Sequence, residues 1–158
     1  MISAGIKEKT IGNIAVKTSD IPGYDNANSY VITNIVGDCM NHPDSPIEVG
    51  DGDHVMCHEI DRFEFYRNWE RYKGRVIIFL TVDGVMGGKW YIKQFERIDY
   101  SWFMVLRMYN PPKDFAIAID QVTNIYIVDR IVTLNNITLE WDYEFREIHR
   151  TCTKDIGQ

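Results

Sequence analysis

Two residues in this chain carry side chains suited to bond-breaking chemistry. Cys39 lies in the run Gly37-Asp38-Cys39-Met40, and Lys93 in Trp90-Tyr91-Ile92-Lys93-Gln94-Phe95. A thiolate is a strong nucleophile. A glycine-containing turn can expose such a group while neighbouring backbone N–H groups point at the same spot and stabilise an oxyanion. An amine held among aromatic rings is poorly hydrated, which disfavours its charged form, and a neutral lysine is a general base. Each residue also has an ordinary reading. Cys39 can be a small buried hydrophobe. Lys93 can carry its ammonium past two rings to water.

The elements around these residues read as mainly β. Tyr30–Val36 is β-branched and stops at Gly37, so it predicts a strand that delivers Cys39 at its end. Residues 40–53 hold Pro43, Pro46, Gly50 and Gly52 and predict a loop, followed by a short strand at His54–His58. Phe63, Tyr66, Trp69 and Tyr72 recur at helical spacing, which predicts one short helix over Arg62–Lys73, packed by its rings and stopped at Gly74. Val76–Val82 and Lys89–Ile98 predict a hairpin, turned by Asp83-Gly84 and Gly87-Gly88. Further strands are expected at Tyr100–Met108, Ile125–Thr133 and Thr138–Phe145. Strand alternation puts Lys93 on one face with Tyr91 and Phe95. The first 29 residues are polar and broken by turn formers. They predict an extended arm with one short strand near Asn13–Lys17.

Composition narrows the function classes. The 158 residues suit one domain with a tail. Net charge is −6, and phosphate recognition depends on Lys and Arg, so DNA binding by this chain alone is not expected. No apolar run reaches membrane-spanning length, and the first residues lack a signal-peptide core. The expectation is a cytoplasmic protein without membrane association. Three scattered cysteines, Cys39, Cys57 and Cys152, predict reduced thiols rather than a disulfide framework. Cys39, His42, Cys57 and His58 can be drawn as a zinc site. Neighbours on a strand point to opposite faces, however, so Cys57 and His58 do not readily share a metal. No metal or cofactor is expected.

The order of motifs is more specific than any one of them. Val36-Gly37-Asp38-Cys39-Met40 is followed by Asp51-Gly52-Asp53-His54-Val55-Met56 and Gly74-Arg75-Val76-Ile77-Ile78. Tyr91-Ile92-Lys93-Gln94-Phe95, Leu106, Asn110-Pro111 and Val128-Asp129-Arg130-Ile131-Val132 complete the series. This series resembles the signal-peptidase-like C-terminal peptidase domain of LexA and phage repressors. The resemblance covers residues 30–133, leaving 1–29 as an N-terminal arm and 134–158 as a β extension. It implies a LexA-like fold of short antiparallel strands with one short helix. It also implies a homodimer and a nucleophile–lysine dyad that cuts the protein's own arm in response to a RecA-like co-protease, as in the SOS response. Carried over, Cys39 takes the nucleophile position, Lys93 the base position, and the Asp38 and Cys39 amides the oxyanion hole. The family's scissile bond commonly joins a small residue to glycine, and Ala4-Gly5 fits at a similar spacing.

Three departures bear on activity. The family's nucleophile is serine, and here it is cysteine. The pair can work as thiol and neutral amine, or exist as thiolate and ammonium, in which case the lysine is not the base. The exchange is equally compatible with a catalytically inactive LexA-like dimerisation and regulatory module. The loops at Asn41–Gly50 and Asp61–Lys73 are longer than the family's usual ones. Too few residues precede Cys39 for a helix-turn-helix domain plus an arm, so DNA would be met only through a separate domain. Beyond the resemblance, the tail alternates Trp141, Tyr143 and Phe145 with charges and predicts an edge strand. That strand could cover the sheet or join two copies.

Overall fold

The computed structural model describes residues 2–3, 6–11, 14–17, 25–82, 90–100, 102–136 and 141–146. The protein is mainly β, as the sequence predicts. The first strands, β1 (Ile2–Ser3), β2 (Ile6–Ile11) and β3 (Ile14–Lys17), form a small antiparallel sheet in that order. The arm thus contains more pairing than the single strand expected near Asn13–Lys17. Ala4 and Gly5 lie outside the described residues, as does the turn at 83–89.

The main sheet is built from β4 (Tyr30–Asn34), β5 (His54–Ile60), β6 (Val76–Thr81), β7 (Trp90–Ile98), β8 (Phe103–Tyr109), β9 (Pro112–Ala118) and β10 (Val122–Asn136). Their order is β4-β5-β10-β6-β7-β8-β9, and β11 (Trp141–Arg146) pairs with β10. All these pairings are antiparallel. Strand β9 was not anticipated, because Asn110-Pro111-Pro112 reads as a stop. Pro112 is the first residue of that strand, and β9 is the last in the order. A residue without an N–H is tolerated in both settings.

Strand β6 explains how the sheet forms two cores. Its side chains alternate, with Val76 and Ile78 to one side and Ile77 and Phe79 to the other, and all four are buried. The first core adds Ile35, Met40, Ile47, Val49 and Ile92, and so contains the loop that carries Cys39. The second adds Phe65, Phe95, Met104 and Leu106.

The predicted helix is split. Helix α1 (Arg62–Arg67) is capped by Asp61, whose side chain accepts from the Glu64 N–H at 3.0 Å. At Asn68 the backbone leaves helical geometry (φ −116°, ψ 29°), and the chain continues as a 3-10 turn over Trp69–Tyr72. The break redistributes the rings. Phe65, outside the three-residue repeat, is the fully buried one, stacked on Tyr72 at 5.0 Å and edge-on to Phe95 at 4.9 Å. Phe63 is 60% exposed.

Candidate active site

The loop after β4 is held by bonds that cross it. Gly37 has a φ of +89°, a conformation that side chains disfavour. Its N–H donates to Asp51 Oδ1 at 2.8 Å, and Asp38 Oδ1 accepts from the Asp51 N–H at 3.0 Å. This reciprocal pair ties the Gly-Asp turn to the Asp51-Gly52 turn. The packing there is close, since a side chain at Gly50 would meet Asp38 Oδ1 and Asn41 Nδ2 at 2.8 Å. Met40 is buried in the first core, and burying a methionine contributes about 2 kcal/mol, so it anchors the residue beside Cys39.

Lys93 reaches Cys39 because two strands part. Strand β7 pairs with β6 as far as Trp90↔Leu80, but its register with β8 begins only at Gln94↔Arg107. The loop that carries Cys39 fills the notch. The Cys39 carbonyl accepts from the N–H groups of Tyr109 and Asn110, both at 2.9 Å, which fixes it to the departing end of β8. On the β7 side, Cys39 Sγ donates to the Ile92 carbonyl at 3.5 Å, and Lys93 Nζ lies 3.0 Å from Cys39 Sγ. Lys93 is 7% exposed. Its side chain runs between rings, with Nζ 5.7 Å from the Tyr91 ring centre and 5.8 Å from that of Phe115. The two residues singled out from sequence are therefore brought together across 54 positions.

The backbone N–H groups of Asp38 and Cys39 donate to no protein acceptor among the described residues. They are available beside the sulfur, as an oxyanion site requires. A cavity of about 590 Å³ opens in front of Cys39 and Lys93. Its walls come from β4 and its extension, including Val31, Ile35 and Val36, and from Trp90 and Tyr91 of β7. They are largely apolar.

Cys57 also lines this cavity but is chemically different. It is buried, its Sγ donates to the Val31 carbonyl at 3.6 Å, and burial, reinforced by the charge of Asp129, pushes its pKa up to about 12. His58, the next residue, bonds Asp129 Oδ2 through Nδ1 at 2.6 Å, with Arg75 4.0 Å from the same carboxylate. Asp129 sits where the β10–β5 register slips, which sets its carboxylate toward His58.

Sequence reasoning missed a buried polar group linked to the Cys39 loop. Gln94 is fully buried, its Nε2 donates to the Gly74 carbonyl at 3.0 Å, and its Oε1 accepts from the Tyr109 hydroxyl. Tyr109 in turn holds the Cys39 carbonyl through its N–H. The available signal was an amide in an otherwise apolar strand centre, next to Lys93. No protein-family model, curated protein or solved structure matches this chain.

Proposed function

We propose that this chain is the self-cleaving peptidase and dimerisation domain of a LexA-like transcriptional repressor. The observation that carries the reading is the 3.0 Å approach of Lys93 Nζ to Cys39 Sγ at the edge of an apolar cavity. The ordered motifs and the free Asp38 and Cys39 amides support it further.

In the proposed reaction Lys93, as neutral amine, takes the Cys39 proton. The sulfur attacks the Ala4 carbonyl, and the Asp38 and Cys39 amides hold the resulting oxyanion. Collapse breaks the Ala4–Gly5 C–N bond, and the Lys93 ammonium returns its proton to the Gly5 nitrogen. The Ala4 thioester on Cys39 is then hydrolysed by water, with Lys93 again as base. Cleavage would release the arm and, in a complete repressor, part the DNA-binding domain from the domain that holds two copies together. A homodimer and a RecA-like co-protease belong to this proposal. Among the described residues no helix is long and apolar enough to cross a membrane.

Intact-mass measurement of purified protein, incubated from neutral to alkaline pH, tests the reading. The expected result is loss of the N-terminal segment, faster as the solution becomes more alkaline. Cys39→Ala should abolish it, and Lys93→Ala should slow it by about 100-fold or more, the usual contribution of a general base. A folded wild-type protein that never cleaves, with or without co-protease, would overturn the peptidase reading and leave the dimerisation module. Cleavage unchanged in either variant would overturn the assigned roles.

A further inference from the structure

We propose that Cys39 and Lys93 form an oxidative modification site, in which peroxide converts the thiol to a sulfenic acid and the lysine amine captures it as a sulfur–nitrogen bond. This requires only the geometry of the pair and holds independently of the peptidase reading.

The first observation is proximity. Nζ already lies 3.0 Å from Sγ, so the amine needs no rearrangement to attack that sulfur. The second is isolation. Lys93 is 93% buried, and Cys39 Sγ is the one hydrogen-bond partner its Nζ has among the described residues. The amine is thus aimed at the sulfur and held there by rings. The third is access. Cys39 is partly exposed at a cavity of about 590 Å³, ample for peroxide. Cys57 lines the same cavity but is buried and stays protonated, so it is a poor competitor for the oxidised sulfur.

The steps balance. Cys39 thiol and hydrogen peroxide give Cys39 sulfenic acid and water, with sulfur oxidised by two electrons and peroxide reduced. The neutral Lys93 nitrogen then attacks that sulfur. The sulfur–oxygen bond breaks, and the departing hydroxide takes a proton from nitrogen to leave as water. Sulfenic acids are known to condense with a backbone nitrogen in this manner, and a primary amine is the better nucleophile. A thiol reductant reverses the bond by exchange, regenerating thiol and amine. The bond protects sulfur from the irreversible sulfinic and sulfonic stages. It also occupies both groups of the candidate dyad at once. A serine at position 39 could not do this, so the site gives the cysteine a consequence that the hydroxyl lacks.

The test uses the full chain treated with hydrogen peroxide, then peptide mapping by mass spectrometry with and without dithiothreitol. The expected product links the Cys39 and Lys93 peptides with loss of two hydrogens and disappears on reduction. Dimedone, which traps free sulfenic acid, should label Cys39 poorly in the wild type and strongly in Lys93→Met. A Cys39–Cys57 disulfide, or ready dimedone labelling of wild-type Cys39 with no cross-linked peptide, would overturn the proposal. The wild-type measurements decide the matter alone if Lys93→Met does not fold.

Discussion

The buried amide of Gln94, linked through Tyr109 to the Cys39 loop, offers the most quantitative check on the site. Gln94 spends both polar atoms on buried partners, the Gly74 carbonyl and the Tyr109 hydroxyl. A buried polar group left unpaired costs about 1–3 kcal/mol. Gln94→Leu leaves the Gly74 carbonyl unpaired and takes one partner from the Tyr109 hydroxyl, which keeps a contact with Arg107, so it should destabilise by about 2–4 kcal/mol. Tyr109→Phe leaves the Gln94 oxygen unpaired, takes one of several partners from the Arg107 side chain, and should cost about 1–3 kcal/mol. In the double variant Gly74 alone is orphaned. Its loss should therefore fall short of the sum by about 2–4 kcal/mol, since the Gln94 oxygen and the Tyr109 hydroxyl no longer leave each other unpaired. Urea unfolding of the four proteins measures this coupling, and thermal melts should move by about 2–4 °C per kcal/mol in a chain of this size.

Both variants spare Cys39 and Lys93, and both keep the Tyr109 N–H that holds the Cys39 carbonyl. Loss of the side-chain bond lets the end of β8 drift from β7. The rate of Cys39 modification by a thiol reagent should then change while that of Cys57 does not. A coupling below about 0.5 kcal/mol would refute the reasoning, because two groups in direct contact cannot be additive if each depends on the other.

Other perturbations have equally direct outcomes. Cys57 is an acid whose folded pKa is raised from 9.0 to about 12, so between those values the unfolded chain binds fewer protons than the folded one and stability falls as pH rises. The loss should reach about 2 kcal/mol by pH 10.5, and Cys57→Val should remove it in pH-dependent urea unfolding. Gly50→Ala places a methyl 2.8 Å from Asp38 Oδ1, so it should break the Asp38–Asp51 bond and change Cys39 reactivity, as read by thiol labelling, more than it changes stability. Trp102 has a φ of 63° and is mostly exposed, and that conformation costs a side chain about 1–2 kcal/mol. Trp102→Gly should therefore be more stable than Trp102→Ala by about 1 kcal/mol in thermal unfolding.

The strands, and Cys39 and Lys93 as candidate residues, were legible because their causes are local. β-Branched runs specify β4, β6 and β10, and Gly37, three residues past the end of β4, specifies the turn that presents Cys39. What could not be read from sequence depends on contacts between distant segments. The split at Asn68 accompanies Phe65 meeting Phe95, a contact that no spacing within residues 62–73 encodes. The placement of Lys93 depends on β8 leaving β7 at Gln94↔Arg107, a register event that periodicity does not mark. Gln94 and Tyr109 each look ordinary in their own segments, and only the sheet order makes them partners. The same holds for His58 and Asp129, joined through a register slip.

On the proposed reading, a cysteine rather than a serine at position 39 also predicts how the two groups divide the work. In the resting arrangement Lys93 Nζ approaches the sulfur, while the thiol is directed at the Ile92 carbonyl. A thiol ionises far more readily than a hydroxyl, so part of its reactivity needs no base. A serine at the same place must surrender its proton to Lys93 as the bond forms. Loss of the amine should therefore cost more in a Cys39→Ser background than in the wild type. The measurement is the rate of arm release in the wild type, Cys39→Ser, Lys93→Met and the double variant, followed by intact mass. The expected sign is a larger fold-loss on Lys93→Met in the serine protein, by about tenfold or more, within the range attributed to a positioned base. Equal losses in the two backgrounds would show that Lys93 acts on something other than the proton of residue 39, such as the charge of the bound arm, and the base assignment would fail.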